Sequence, residues 1–290
     1  MSGDTAAPWP IMSLPPARRF DWSNLGIRVA SATVLVPAVL GAVWFADYPG
    51  FSWLFLVLVA VAVALLAIEW GAMTAPYAPV RVSTALTVAI LAGAFLAHDG
   101  RMPLAWSAVA VGAAAAALVA RGVAERPTNA AFGAIYLAIP VICLVWLRSM
   151  PEGRQWTVLL FVVAWSADIA AFAVGSALKG PKLWPRFSPN KTWSGFIGGL
   201  LAAAGAGVAM AAFSDIVLSL QAGALIGLVG GLATMAGDLW ESMLKRRFGV
   251  KDSGDLIPGH GGLLDRVDGL MFAAVVLAGA RLSNHWGWAN

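Results

Sequence analysis

An all-α polytopic membrane fold, with about nine transmembrane helices and a cytoplasmic N-terminus, is predicted by three features of this sequence. Its 290 residues are 60% hydrophobic and only 12% charged, with a mean hydropathy of +0.78, far from the balance of a soluble domain. The apolar residues come in long continuous runs. Basic residues fall unevenly between alternate loops.

A hydrocarbon core of about 30 Å requires roughly 20 apolar residues per helix. Runs of that kind lie near residues 27–46, 51–73, 82–98, 104–120, 131–149, 156–178, 195–213, 220–240 and 268–287. The fourth is Ala-rich and the third short, so eight or ten spans also fit. Continuity rather than alternation excludes a transmembrane barrel, and unpaired backbone groups are not left in lipid, so the runs are helices. Residues 1–26 are polar and Pro-rich and read as a cytoplasmic segment. The first apolar run is followed directly by another and reads as a retained anchor. Cys143 is the only cysteine, which excludes an intramolecular disulfide and a thiolate metal cluster.

With the N-terminus inside, the cytoplasmic loops carry Arg18 and Arg19, then Arg81, then Arg121 and Arg126. The last two carry Lys179, Lys182, Arg186 and Lys191, and then Lys245, Arg246, Arg247, Lys251 and Arg266. Opposite loops carry Arg101, Arg148 and Arg154 alone, so the excess of cations selects one orientation. Topology accounts for the pI of about 9.6 without invoking nucleic acid. It does not account for the crowding of cations into the loops at 179–191 and 245–266, which suit a polyanion.

The chemistry concentrates between Gly237 and Gly269, in GDLWESMLKRRFGVKDSGDLIPGHGGLLDRVDG. If the eighth helix continues past the membrane surface, Asp238, Glu241, Ser242 and Lys245 share one face. Asp265 and Asp268 share a face at the start of the ninth. Carboxylates from two helix ends, facing Lys and Arg, suit Mg²⁺ held by one or two carboxylates and completed by substrate phosphates. Phosphoryl and nucleotidyl transfer need that arrangement. Gly259, Gly261 and Gly262 allow backbone N–H groups to approach a phosphate. The plainer alternative, solvated pairs such as Glu241 with Lys245, explains one pair but not the whole cluster. Asp168, inside the sixth run, is costly in lipid and is a site candidate, with loop cations or a metal as its expected partners.

The stretch SMLKRRFGVKDSGDLIPGHGGLLDRVD resembles the signature of the phosphatidate cytidylyltransferase family at Ser242, Lys245, Arg246, Lys251, Asp252, Pro258, His260, Gly261, Gly262, Asp265, Arg266 and Asp268. FSPNKTWSGFIGG resembles the family's upstream segment at Ser188, Pro189, Lys191, Thr192 and Gly195. It departs at Asn190 and Ser194, where Lys and Glu are expected, and Phe172 stands where the family shows Tyr near Asp168. The resemblance covers about the C-terminal 130 residues. Residues 27–150 are therefore assigned as N-terminal transmembrane helices and 151–290 as the catalytic region.

The resemblance implies a nucleotidyltransferase of phospholipid biosynthesis that makes CDP-diacylglycerol and pyrophosphate from CTP and phosphatidic acid. It implies a multi-pass enzyme of the inner membrane, with its active site facing the cytoplasm and no nucleic-acid partner. A homodimer is expected by analogy. On this reading Asp238 and Asp265 bind the metal with Asp268 in support. The metal is Mg²⁺, alone or together with a second cation. Lys245, Arg246, Lys251, Asp252, His260 and Arg266 are the catalytic set. Asp168, Ser188, Lys191, Thr192, Ser242, Gly261 and Gly262 bind substrate. A CDP-alcohol phosphotransferase is disfavoured because Asp268-Gly269 is not followed by Ala-Arg. An anion transporter is disfavoured because the charges gather at one face.

Smaller signals have structural readings. Gly223, Gly227 and Gly231 recur every fourth residue and predict a close helix interface. Trp156, Trp240 and Trp286 at span ends are expected as headgroup anchors, with Trp184 and Trp193 nearer the lipid headgroup. His98 and His285 are expected as isolated interfacial residues.

Overall fold

Long apolar runs leave each backbone no partner but itself, and the chain accordingly folds into a bundle of helices. The computed structural model describes residues 22–124, 126–185, 187–257 and 261–285, with side chains described from 33 to 283. The segment 1–21, Arg186, His260 and Trp286 lie outside the described residues. The helices are α1 (Trp22–Phe45), α2 (Trp53–Thr74), α3 (Pro79–His98), α4 (Met102–Val119), α5 (Thr128–Ser149), α6 (Gly153–Leu178), α7 (Trp193–Phe213), α8 (Leu220–Arg247) and α9 (Leu264–His285). Each of the nine expected runs falls on one of them. Among the described residues, seven helices, α2 to α8, are long and apolar enough to cross a membrane.

Local chemistry sets several boundaries. Proline stands in the first turn of α3 and of α4, where its fixed φ suits the helix and its missing N–H costs nothing. The Thr192 hydroxyl accepts the Gly195 N–H to cap α7, and Ser219 accepts that of Ala222 to cap α8. Between α6 and α7, where only a loop is expected, β1 (Lys182–Trp184) pairs antiparallel with β2 (Ser188–Thr192). The strands of this hairpin are only three and five residues long, KLW and SPNKT, so no hydrophobic alternation announces it.

Lipid supplies no hydrophobic drive between helices, so their association depends on close packing. The glycine stripe of α8 meets that need. A Cβ on Gly207, Gly223 or Gly227 would overlap backbone atoms of the facing helix, which brings α7 and α8 into near backbone contact. Elsewhere, one core gathers Trp70, Leu86, Ile90, Leu137 and Ile142 from α2, α3 and α5. A second gathers Leu159, Leu160, Ala203 and Leu277 from α6, α7 and α9. Large apolar side chains such as Val61, Phe95, Val111, Leu201 and Phe213 remain exposed, as the outer face of a membrane bundle requires. The chain is thus an all-α polytopic membrane protein.

At the end of the bundle away from the α6–α7 and α8–α9 loops, the cations are matched by acids. Arg148 and Arg154 pair with Asp47, Arg101 with Asp99 at 2.8 Å, and Arg281 with Glu152 at 4.0 Å. Trp156 departs from its expected anchoring role. It is fully buried and Arg281 stacks on it at 5.3 Å, because its azimuth on α6 turns it into the bundle. Trp184, Trp193 and Trp240 are partly exposed. His98 is not isolated, since its Nδ1 lies 3.1 Å from the Ser149 hydroxyl.

Candidate active site

The C-terminal ends of α6 and α8 and the N-terminal ends of α7 and α9 meet at one end of the bundle. Between them lies a cavity of about 1240 Å³. Of the residues singled out in the sequence, Asp168, Lys191, Thr192, Asp238, Lys245, Asp252, Gly261, Asp265, Arg266 and Asp268 line it. Glu241, on the same α8 face as Asp238 and Lys245, does so too, as do Phe172 and Asn190.

Small residues make this convergence possible. A Cβ on Gly237 would lie 2.5 Å from the Asp268 carbonyl oxygen and 3.0 Å from Gly269 Cα, so α8 and α9 cross closest where they carry Asp238 and Asp268. A Cβ on Gly175 would lie 2.9 Å from Thr192 Oγ1, and one on Gly195 would lie 2.6 Å from the Ala171 carbonyl oxygen. That approach lays the start of α7 and the end of β2 over the α6 face bearing Asp168.

The charges form two linked groups. Lys191, from β2, pairs with Asp238 of α8 and so ties the hairpin to the α8 wall. Of the loop cations expected beside Asp168, Lys191 is therefore engaged with a different carboxylate, while Lys179 and Lys182 share the cavity lining with Asp168. Lys245 sits between Glu241, at 2.7 Å, and Asp265. Glu241 is 1% exposed and Lys245 14%. These are buried charges rather than a solvated surface pair, and a buried ion costs several kcal/mol unless well partnered. Asp268 accepts its neighbour Gly269 N–H at 2.8 Å. Asp265 Oδ2 accepts the Ser253 N–H and the Ser253 hydroxyl, both at 3.1 Å. Burial alone would raise the Asp265 carboxyl. The bonds from Lys245 and from the Ser253 N–H outweigh it and hold this group, at the loop end of α9, below its ordinary value.

The loop from 248 to 263 turns at Gly249 and at Gly261, both at positive φ, and Ile257 and Gly261 exchange backbone hydrogen bonds at 2.9 and 3.1 Å. Ser188, Ser242, Arg246 and Lys251 lie outside the cavity lining, with Arg246 and Lys251 exposed. Gly262 is buried behind it against Ser253. Thr192 faces the cavity while capping α7, and Ser194 donates to the Lys179 carbonyl oxygen.

Sequence reasoning missed Glu69. This α2 residue is 2% exposed and accepts hydrogen bonds from Leu263 N–H, Leu264 N–H and the Ser253 hydroxyl. The signal was available, because a lone carboxylate in an apolar run is costly there, as for Asp168.

Chemically, the cavity combines an acidic wall from α6, α8 and α9 with Lys191, Lys245 and Arg266. Among the described residues, no three acidic or histidine side chains converge closely enough to enclose a cation unaided. The Glu241 Oε1 atom, however, is buried without a hydrogen-bond partner. Such a donor set fits a cation held by one or two carboxylates and completed by substrate oxygens.

Comparison with known proteins agrees with this chemistry. The "Phosphatidate cytidylyltransferase" of Brucella suis biovar 1 (strain 1330) is 49% identical over 154 residues, covering 51% of this chain and 54% of that protein. Proteins of the same name from Staphylococcus saprophyticus and Staphylococcus haemolyticus are 41% and 42% identical over 142 and 126 residues. Those alignments cover 49% and 43% of this chain, and 54% and 48% of the relatives. The chain thus spans about half the length of the curated relatives it matches. The profile of the cytidylyltransferase family matches much further, over residues 26–281, from the first helix to the last. With a match of that extent, the chain belongs to the cytidylyltransferase family.

Proposed function

We propose that the chain transfers CMP from CTP to phosphatidic acid, giving CDP-diacylglycerol and pyrophosphate, as the names of its relatives suggest. The observation that carries this reading is the cavity in which carboxylates of α6, α8 and α9 face Lys191, Lys245 and Arg266 at the end of a lipid-facing bundle. A transporter would need its charges near the membrane midplane.

In the proposed reaction an oxygen of the lipid phosphate attacks the α-phosphorus of CTP. The new P–O bond forms as the bond to the β-phosphate bridge breaks, and its electron pair leaves with pyrophosphate. The nucleophile is already anionic, so no strong base is required. The difficulty is the approach of two polyanions, which the cations of the cavity reduce. Lys245 and Arg266 offer charge to the triphosphate, and Lys191 does so once it exchanges Asp238 for a phosphate. Arg246 and Lys251 extend positive charge beyond the mouth. Asp252 positions phosphate, as does His260 by the family resemblance.

Mg²⁺, when bound, neutralises phosphate charge and polarises the attacked phosphorus. Asp238 and Asp268, adjacent at the closest crossing of α8 and α9, are the residues that would hold it. Asp265 joins them only by releasing Lys245. Thr192, Gly261 and Asp168 line the substrate side. The site is proposed to face the cytoplasm, at the inner membrane, because the exposed cations Arg246, Arg247 and Lys251 gather at this end.

The test is direct. Purified protein receives cytidine-labelled CTP, Mg²⁺ and phosphatidic acid in mixed micelles. Lipid-soluble label that depends on phosphatidic acid is expected. Folded protein that leaves all label in the aqueous phase across detergents and divalent metals would overturn the proposal.

A further inference from the structure

Glu69 belongs to the part of the chain with no recognisable motif, yet it lies against the motif loop. Its carboxylate has no cationic partner among the described residues. Oε1 accepts the Leu263 N–H at 2.6 Å, and Oε2 accepts the Leu264 N–H at 2.8 Å and the Ser253 hydroxyl at 3.0 Å. The first N–H groups of a helix have no partner inside it, and negative charge is favoured at that end. Glu69 thus supplies α9 with an anionic cap from 195 residues away.

The contact continues inward. Ser253 also donates its N–H, and shares its hydroxyl, with Asp265 Oδ2. Lys245 then joins Asp265 to Glu241 on the cavity wall. One chain of polar contacts therefore runs from α2 through Ser253 to the charged face of α8. Glu69 itself is not among the residues lining the cavity.

The loop is shaped around this carboxylate. A Cβ on Gly262 would fall on the Ser253 hydroxyl and lie 3.0 Å from Glu69 Oε2, and one on Gly254 would lie 3.2 Å from Glu69 Cγ. Two glycines, eight residues apart in sequence, leave room for the same side chain.

We infer that Glu69 is a positioning residue for the transfer reaction, clamping the 253–264 loop to α2 so that Ser253 holds Asp265 in register with Lys245. The claim rests on the proposed cytidylyl transfer. Both carboxylate oxygens accept, so glutamine cannot replace glutamate. Its amide would turn N–H groups toward backbone N–H or the serine hydroxyl.

The experiment uses the full chain in detergent and compares wild type, Glu69→Gln, Ser253→Ala and the double variant. Turnover of Glu69→Gln is expected to fall roughly 10- to 100-fold, the usual loss for outer-shell partners of catalytic ligands. Its KM for phosphatidic acid should stay within about two-fold of wild type, since no substrate contact is removed. The double variant should be no worse than the weaker single one, because both break the same link. Independently of activity, hydrogen exchange at the amides of residues 253, 263 and 264 should accelerate about 10-fold or more in Glu69→Gln, with α7 unchanged. Normal turnover with unchanged exchange at those amides would overturn the inference. Multiplied losses in the double variant, or faster exchange throughout α7 and α8, would do so as well. If the wild type transfers no label, the transfer reading fails while the exchange data still decide whether Glu69 clamps the loop.

Discussion

Lys245 is the residue on which the buried charges depend, because among the described residues it is the cation that bridges Glu241 and Asp265. Replacing it with Met leaves two buried carboxylates uncompensated, a change that typically costs about 3–5 kcal/mol. Lys245→Met should therefore lower the unfolding temperature in detergent and abolish transfer together. A variant with unchanged melting would show that the pair is solvated after all. Asp265→Asn removes the charge but keeps the shape, and it should abolish turnover while the protein inserts and folds normally. Near-normal activity would remove Asp265 from the chemistry. These side chains were legible in the sequence because they sit three, four or seven residues apart on helix ends. Glu69 was marked only by its cost in an apolar run; its partners were not legible, since they lie 184 to 195 residues away and no local spacing records them. Trp156 was misread for a related reason: its place at a span end says nothing about which way the helix turns it.

At the scale of the elements, α7 and α8 must touch backbone to backbone for β2 to bring Lys191 to Asp238. Gly227→Leu would force them apart. Overpacking of this kind costs about 1–3 kcal/mol or more, so both melting temperature and transfer should fall, although Gly227 is roughly 16 Å along the helix from Asp238. Gly205→Ala is the control, because a Cβ there meets nothing within 4 Å, and it should leave both unchanged. Retained activity in Gly227→Leu would show that the glycine contact does not position the site. The helix runs and the glycine stripe could be read in advance because apolar length and periodicity are local properties. The β1–β2 hairpin could not, since Lys182–Trp184 and Ser188–Thr192 are short and held by pairing with each other rather than by a buried face.

For the whole molecule, the two ends differ in how their charge is used. Arg101, Arg148, Arg154 and Arg281 are paired with acids at one end. At the other, Arg246, Arg247 and Lys251 stand exposed near the cavity. An excess of cations marks the cytoplasmic face, so the proposed orientation puts the site inside. In a Cys143→Ala background, a cysteine at position 247 should react with a membrane-impermeant thiol reagent only after permeabilisation, whereas one at position 101 should react in intact cells. The reverse pattern would put the site on the outer face. Overall class was readable from composition and from the continuity of the apolar runs, but the link from α2 to the motif loop through Glu69 needed three dimensions.

What matters most is which phosphorus of the nucleotide reaches the lipid. Purified protein with phosphatidic acid, Mg²⁺ and CTP labelled separately at the α- and γ-phosphorus resolves this. The α-label is expected in the lipid product in equal amount to the pyrophosphate released, with the γ-label entirely in pyrophosphate. Gamma-label in the lipid, or pyrophosphate release without α-label transfer, would contradict cytidylyl transfer by this cavity.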